Sequence, residues 1–94
     1  MRTIRTAGLP EGCGAERIYT FYLKDPNPRV VLEIPGNWGG PDTCRPQFPE
    51  QEQWLNTLSL RMRQSWDCQW TFEDEEAVGH FLDLLAPFAE GPAA

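Results

Sequence analysis

Short β-branched and alternating stretches open the chain. Arg2 to Ala7 carries Thr3, Ile4 and Thr6 and is bounded by Gly8 and Pro10, which predicts a first strand. Arg17 to Leu23 sets Ile18, Thr20 and Tyr22 on one face and Tyr19, Phe21 and Leu23 on the other. Both faces are largely apolar or aromatic, which predicts a central strand. Lys24-Asp25-Pro26-Asn27-Pro28 reads as a hairpin loop, because two prolines with Asp and Asn favour a rigid reversal. Arg29 to Ile34 is the return strand, with Val30, Leu32 and Ile34 toward the core and Val31 and Glu33 away from it.

The pattern then breaks. Pro35 to Pro49 holds four prolines and three glycines with no strand or helix periodicity, and it reads as a structureless loop long enough to be functional. Periodicity returns at helical spacing from Glu50 to about Trp66: Leu55, Leu58, Met62 and Trp66 make one apolar stripe, widened by Trp54. Pro49 suits the first turn, and Glu50 and Glu52 before Arg61 and Arg63 complement the helix dipole. Asp67 to Phe72 alternates again, with Cys68, Trp70 and Phe72 on one side. Glu73 opens a second helix running to about Ala86, whose buried face is Ala77, Val78, Phe81, Leu82 and Leu85 and which Pro87 stops. The expected order is β-β-β-α-β-α: an α+β domain in which a small antiparallel sheet carries two helices on one face. The whole chain, 1–94, is one domain, with 87–94 read as a flexible tail.

Composition narrows what this architecture can do. A chain of 94 residues buries only about 60–65% of the surface it exposes when unfolded. Four Trp, five Phe and two Tyr supply the large rings such a small core needs. The net charge is −6, from fourteen acids against eight bases. That argues against direct nucleic-acid binding and against a polybasic membrane contact, and it suits a partner with a basic surface. Seven of the eight bases are Arg, a usage typical of GC-rich genomes. The N-terminus lacks the apolar stretch of a secretory signal, so a cytoplasmic location is expected. Cys13, Cys44 and Cys68 are odd in number and widely spaced, which points to free thiols.

Candidate chemistry is sparse. His80 is the only histidine, lies off the apolar stripe near Glu76 and Asp83, and reads as a surface residue. The three cysteines with His80 lack the close spacing of a zinc site, and Cys68 shares its face with Trp70 and Phe72. Cys13 has no helix start or cation to activate it. Gly36-Asn37-Trp38-Gly39-Gly40 lacks the Lys-Ser/Thr ending of a phosphate loop. No cofactor, metal or catalytic residue is therefore expected. Glu73, Asp74, Glu75 and Glu76 are explained by a helix start, with Asp74 able to cap it, and they also form an acidic edge. Trp38 and Phe48 either fold back as a lid on the core or project as an interface anchor, and the small core favours the lid.

The residues selected as partner-binding are Asn37, Trp38, Asp42 and Phe48 in the loop and Glu73, Asp74, Glu75 and Glu76 at the helix start. In size, charge and lack of catalytic residues the chain resembles the small acidic α+β inhibitors encoded by phages and mobile elements, including anti-CRISPR proteins. That profile implies a non-enzymatic protein, monomer or homodimer, that inhibits or modulates a basic macromolecular partner such as a nucleic-acid-binding complex. Toxin-neutralising immunity proteins share the profile. A small ligand-binding or enzyme domain using 35–49 as a lid, and an obligate subunit, are the other readings.

Overall fold

Residues 1–12, 16–24 and 30–90 are described by the computed structural model. The elements run β1 (Arg2–Ala7), β2 (Ile18–Lys24), β3 (Val31–Glu33), β4 (Gly36–Gly40), β5 (Thr43–Pro46), α1 (Pro49–Thr57), β6 (Met62–Trp66), β7 (Gln69–Phe72) and α2 (Glu75–Leu85). A 3-10 turn at Ala86–Phe88 follows α2. An antiparallel sheet has the strand order β1-β2-β3-β7-β6, and β4 with β5 forms a separate hairpin. Both helices lie on one face of the sheet, so the fold is α+β in two layers.

Period-2 alternation decides which face the helices cover. Tyr19, Phe21 and Leu23 of β2, Leu32 of β3 and Trp70 and Phe72 of β7 are buried on the same side. Trp54 of α1 and Phe81 of α2 close over them, with ring centroids 6.2 Å and 5.6 Å from Phe21. Edge-to-face and tilted contacts of this kind add to simple area burial. Gln51, fully buried in α1, donates from Nε2 to the Thr20 carbonyl at 2.9 Å and so fastens the helix to the sheet backbone. The opposite face, bearing Tyr22, Glu33 and Gln69, has no helix on it.

The second helix matches its expected apolar face: Ala77, Phe81 and Leu85 are buried, and Val78 and Leu82 pack beside them. Asp74 caps it, accepting from the Ala77 amide at 3.0 Å. Beyond it, the Ala89 backbone bridges Thr6, and the Glu90 amide donates to the Arg5 carbonyl at 2.6 Å. Ala89 and Glu90 of the expected tail thus lie along β1. Residues 91–94, residues 25–28 of the expected hairpin loop, Arg29 at the start of the expected return strand and Cys13 lie outside the described residues.

Two expectations are corrected. The helix read from Glu50 to Trp66 ends at Thr57, where Leu58 turns extended and Thr57 Oγ1 bonds back to the Trp54 carbonyl at 2.7 Å. Met62–Trp66 is a strand, so Met62 and Trp66 belong to the sheet, and Arg61 and Arg63 do not serve a helix C-terminus. A side-chain network accounts for the reversal. Asn56 accepts from Trp70 Nε1 at 2.8 Å and donates to Gln64 at 3.1 Å, while Gln64 donates to Glu52 at 2.9 Å. Those bonds lay β6 back beside α1 and satisfy the indole of a buried Trp. The second correction concerns Pro35 to Pro49. It is not structureless but contains the β4–β5 hairpin, in which Gly40 pairs with Thr43 across Pro41-Asp42. Glycines at 36, 39 and 40 give that strand no side-chain alternation to read.

Thr6 offers a test of the packing. It is fully buried and its hydroxyl has no hydrogen-bond partner among the described residues. Thr6→Val removes an unpaired polar group with little change in shape and should raise the unfolding free energy by about 1 kcal/mol. Urea denaturation reads this directly, and a loss of stability would mean that the hydroxyl is paired.

Candidate functional site

The β4–β5 hairpin is fixed to the sheet at its base. Cys44 of β5 forms a disulfide with Cys68 in the turn before β7, with Cα atoms 6.0 Å apart. The expectation of free thiols is therefore corrected for these two residues: the folded sheet brings together cysteines 24 positions apart in sequence. With both thiols joined, the Cys3His zinc arrangement loses two of its four ligands. The Cys44 amide also donates to Asp67 Oδ2 at 3.2 Å, and Gln47 N to the Pro35 carbonyl at 3.0 Å. Gly36 lies against the bridge, and a Cβ there would sit 2.6 Å from both Cys68 Sγ and the Arg45 carbonyl oxygen. This close approach requires glycine.

Held in this way, the hairpin stands beside the uncovered sheet face. The register aligns Tyr22 with Glu33, Glu33 with Gln69 and Gln69 with Trp66 across four strands. Trp38 completes a groove of about 300 Å³ with that row, floored by Ile34, Cys44 and Cys68. Trp38 is 71% exposed and Trp66 50%, unusual values for large rings on so small a protein. Neither ring stacks on another aromatic side chain among the described residues.

Glu33 is the charged group of the groove. Its Oε2 accepts from Lys24 Nζ at 2.8 Å and from Gln69 Nε2 at 2.7 Å. Burial works against ionisation, but the hydrogen bonds from Lys24 and Gln69 and the charge of Lys24 outweigh it and hold the carboxyl below its ordinary value. Among the described residues no hydrogen bond or ion pair falls on its Oε1.

The selected residues are not brought to one place. Asn37, Trp38 and Asp42 share the exposed hairpin. Phe48 turns to the helical side, 5.6 Å edge-on to Tyr19 and under the Arg17 guanidinium at 4.6 Å. The lid expectation thus fits Phe48, while Trp38 projects. Glu73, Asp74, Glu75 and Glu76 are exposed at the start of α2, where Arg61 pairs with Asp74 at 2.9 Å and with Glu76 at 3.5 Å. His80 is exposed, 4.0 Å from Glu76. Tyr22, Glu33, Trp66 and Gln69 are groove residues that the sequence reading missed. Alternation in β2 separates Tyr22 from Tyr19, Phe21 and Leu23 without marking which face is uncovered, and Trp66 is hidden by its place in the helical stripe.

Charge is divided between the layers. Segments 49–57 and 73–85, the two helices with the start of α2, hold seven of the fourteen acids and none of the eight bases. The rest of the chain is left with seven acids against eight bases. Among the described residues, no group of three metal-ligating side chains gathers and no helix is long and apolar enough to cross a membrane.

Two measurements test this geometry. Gly36→Ala forces a methyl group into the disulfide and should cost about 1–3 kcal/mol, seen as a lower thermal midpoint. For Glu33, a folded pKa below the unfolded one means that its contribution is full above the unfolded value, near 4.3, and is lost as pH falls through the folded one. Glu33→Gln should therefore remove part of the acid limb of a stability–pH curve and leave its shape at neutral pH unchanged. Compared with family models, curated proteins and solved structures, the chain matches none.

Proposed function

We propose that this chain is a non-enzymatic binding protein that inhibits or modulates a protein partner with a basic surface. The observation that supports this is the division of charge: a helical layer with seven acids and no Lys or Arg. Acids at a helix start are explained by the dipole, and Arg17 and Arg61 reach Glu50, Asp74 and Glu76 from outside the helices, but Glu52, Glu73, Glu75 and Asp83 have no base paired with them among the described residues. A face with an excess of one sign accelerates encounter with an opposite one and rejects like-charged competitors. The profile is that of the small acidic inhibitors carried by phages and mobile elements.

The disulfide bears on the compartment. Such bridges persist in oxidising surroundings and are rare in the cytosol. In a cytoplasmic setting Cys44 and Cys68 would be thiols, and the hairpin would rest on Asp67 and its backbone bonds alone.

The test is retention of a partner from cell lysate by the immobilised protein. Retention at low salt should be lost at about 0.5 M salt, where screening is short-ranged. It should also be lost in a Glu73→Gln, Glu75→Gln, Glu76→Gln variant, which keeps the Asp74 cap. A partner held equally by the variant or at high salt would overturn the acidic layer as the binding surface.

A further inference from the structure

We propose that the groove between the hairpin and the uncovered sheet face receives an arginine side chain of a partner protein, stacked on Trp38 or Trp66 and hydrogen-bonded to Glu33. This rests on the proposed basic partner but uses a surface separate from the acidic helices.

The molecule contains a worked example of the arrangement. On the helical side, the Arg17 guanidinium lies 4.6 Å from the centre of the Phe48 ring, and its Nε is 3.4 Å from Glu50 Oε1. A ring and a carboxylate there hold a guanidinium between them. The groove offers the ring and the carboxylate without the guanidinium. Trp38 and Trp66 present exposed faces, and Trp is the most favourable ring for a cation. Glu33 stays ionised, and with Lys24 and Gln69 both on Oε2 it has Oε1 to offer.

Other features fit arginine better than lysine or a neutral ligand. Guanidinium is planar, weakly hydrated and able to stack and donate at once, whereas ammonium is a strongly hydrated point charge. Lys24 is already committed to Glu33 and does not line the groove. A volume of about 300 Å³ is at the small end for ligand sites and admits one long side chain more readily than a drug-sized molecule. Gln69 adds an amide at the same carboxylate, which fixes its orientation.

The experiment is a titration of ¹⁵N-labelled protein with the capped tripeptide acetyl-Gly-Arg-Gly-amide, following the indole N–H resonances of Trp38 and Trp66, assigned by Trp38→Phe and Trp66→Phe. Both resonances should move. The same peptide with citrulline, which keeps the shape and loses the charge, should bind at least about tenfold more weakly, and the lysine peptide several-fold more weakly. Glu33→Gln should weaken the arginine peptide about tenfold and Trp38→Ala about two- to fivefold. The Glu73, Glu75, Glu76 variant should bind the peptide as wild type does, so a failure of the acidic layer leaves this result standing. The proposal is overturned if the citrulline peptide or a neutral disaccharide such as cellobiose moves these resonances as strongly as the arginine peptide, or if the arginine peptide moves neither.

Discussion

Phe81 is in contact range of three other rings: Phe72 at 5.5 Å, Phe21 at 5.6 Å and Trp54 at 6.5 Å between centroids. That cluster joins α2, β7, β2 and α1, and the rest of the structure depends on it. A chain of this length has little area to bury, so a few large rings must do what many aliphatic side chains do in a larger domain. Since both helices are drawn to the same cluster, only one face of the sheet is covered. The exposed groove on the other face is thus a consequence of where the core had to form.

How far the sequence could be read follows from the same physics. Strong alternation in β2 and β7, and the 3.6-residue apolar spacing of α2, report directly on contact with the ring cluster, and these elements are where the pattern puts them. The reading fails where burial does not set the pattern. Leu58, Met62 and Trp66 stand at helical intervals, yet only Leu58 and Met62 pack on the core, and Trp66 faces away. Polar bonds of Asn56 and Gln64 choose strand over helix there. The hairpin escapes for a different reason: its strand β4 is exposed throughout and has three glycines in five residues, so no apolar rhythm exists.

The candidate site was legible only in part. Trp38 stands out in any reading as a large ring in a glycine-rich segment. Its neighbours could not be found without strand pairing, because Tyr22, Glu33, Trp66 and Gln69 come from four separate strands and meet through register alone. The disulfide has the same origin. Cys68 does point inward, as its alternation with Trp70 and Phe72 implies, but what it meets there is Cys44.

The excess of acids in the helical segments, offset in part by Arg17 at Glu50 and Arg61 at Asp74 and Glu76, biases the charge of this net anion toward its helical layer. A net charge draws partners closer from every side, whereas an uneven one turns the molecule as it approaches. In the field of a cationic surface such a bias would favour approach with the helical layer in front, over a range of about 8 Å at physiological ionic strength. Orientation is then selected during diffusion, and copies of the chain meeting by their helical layers repel one another.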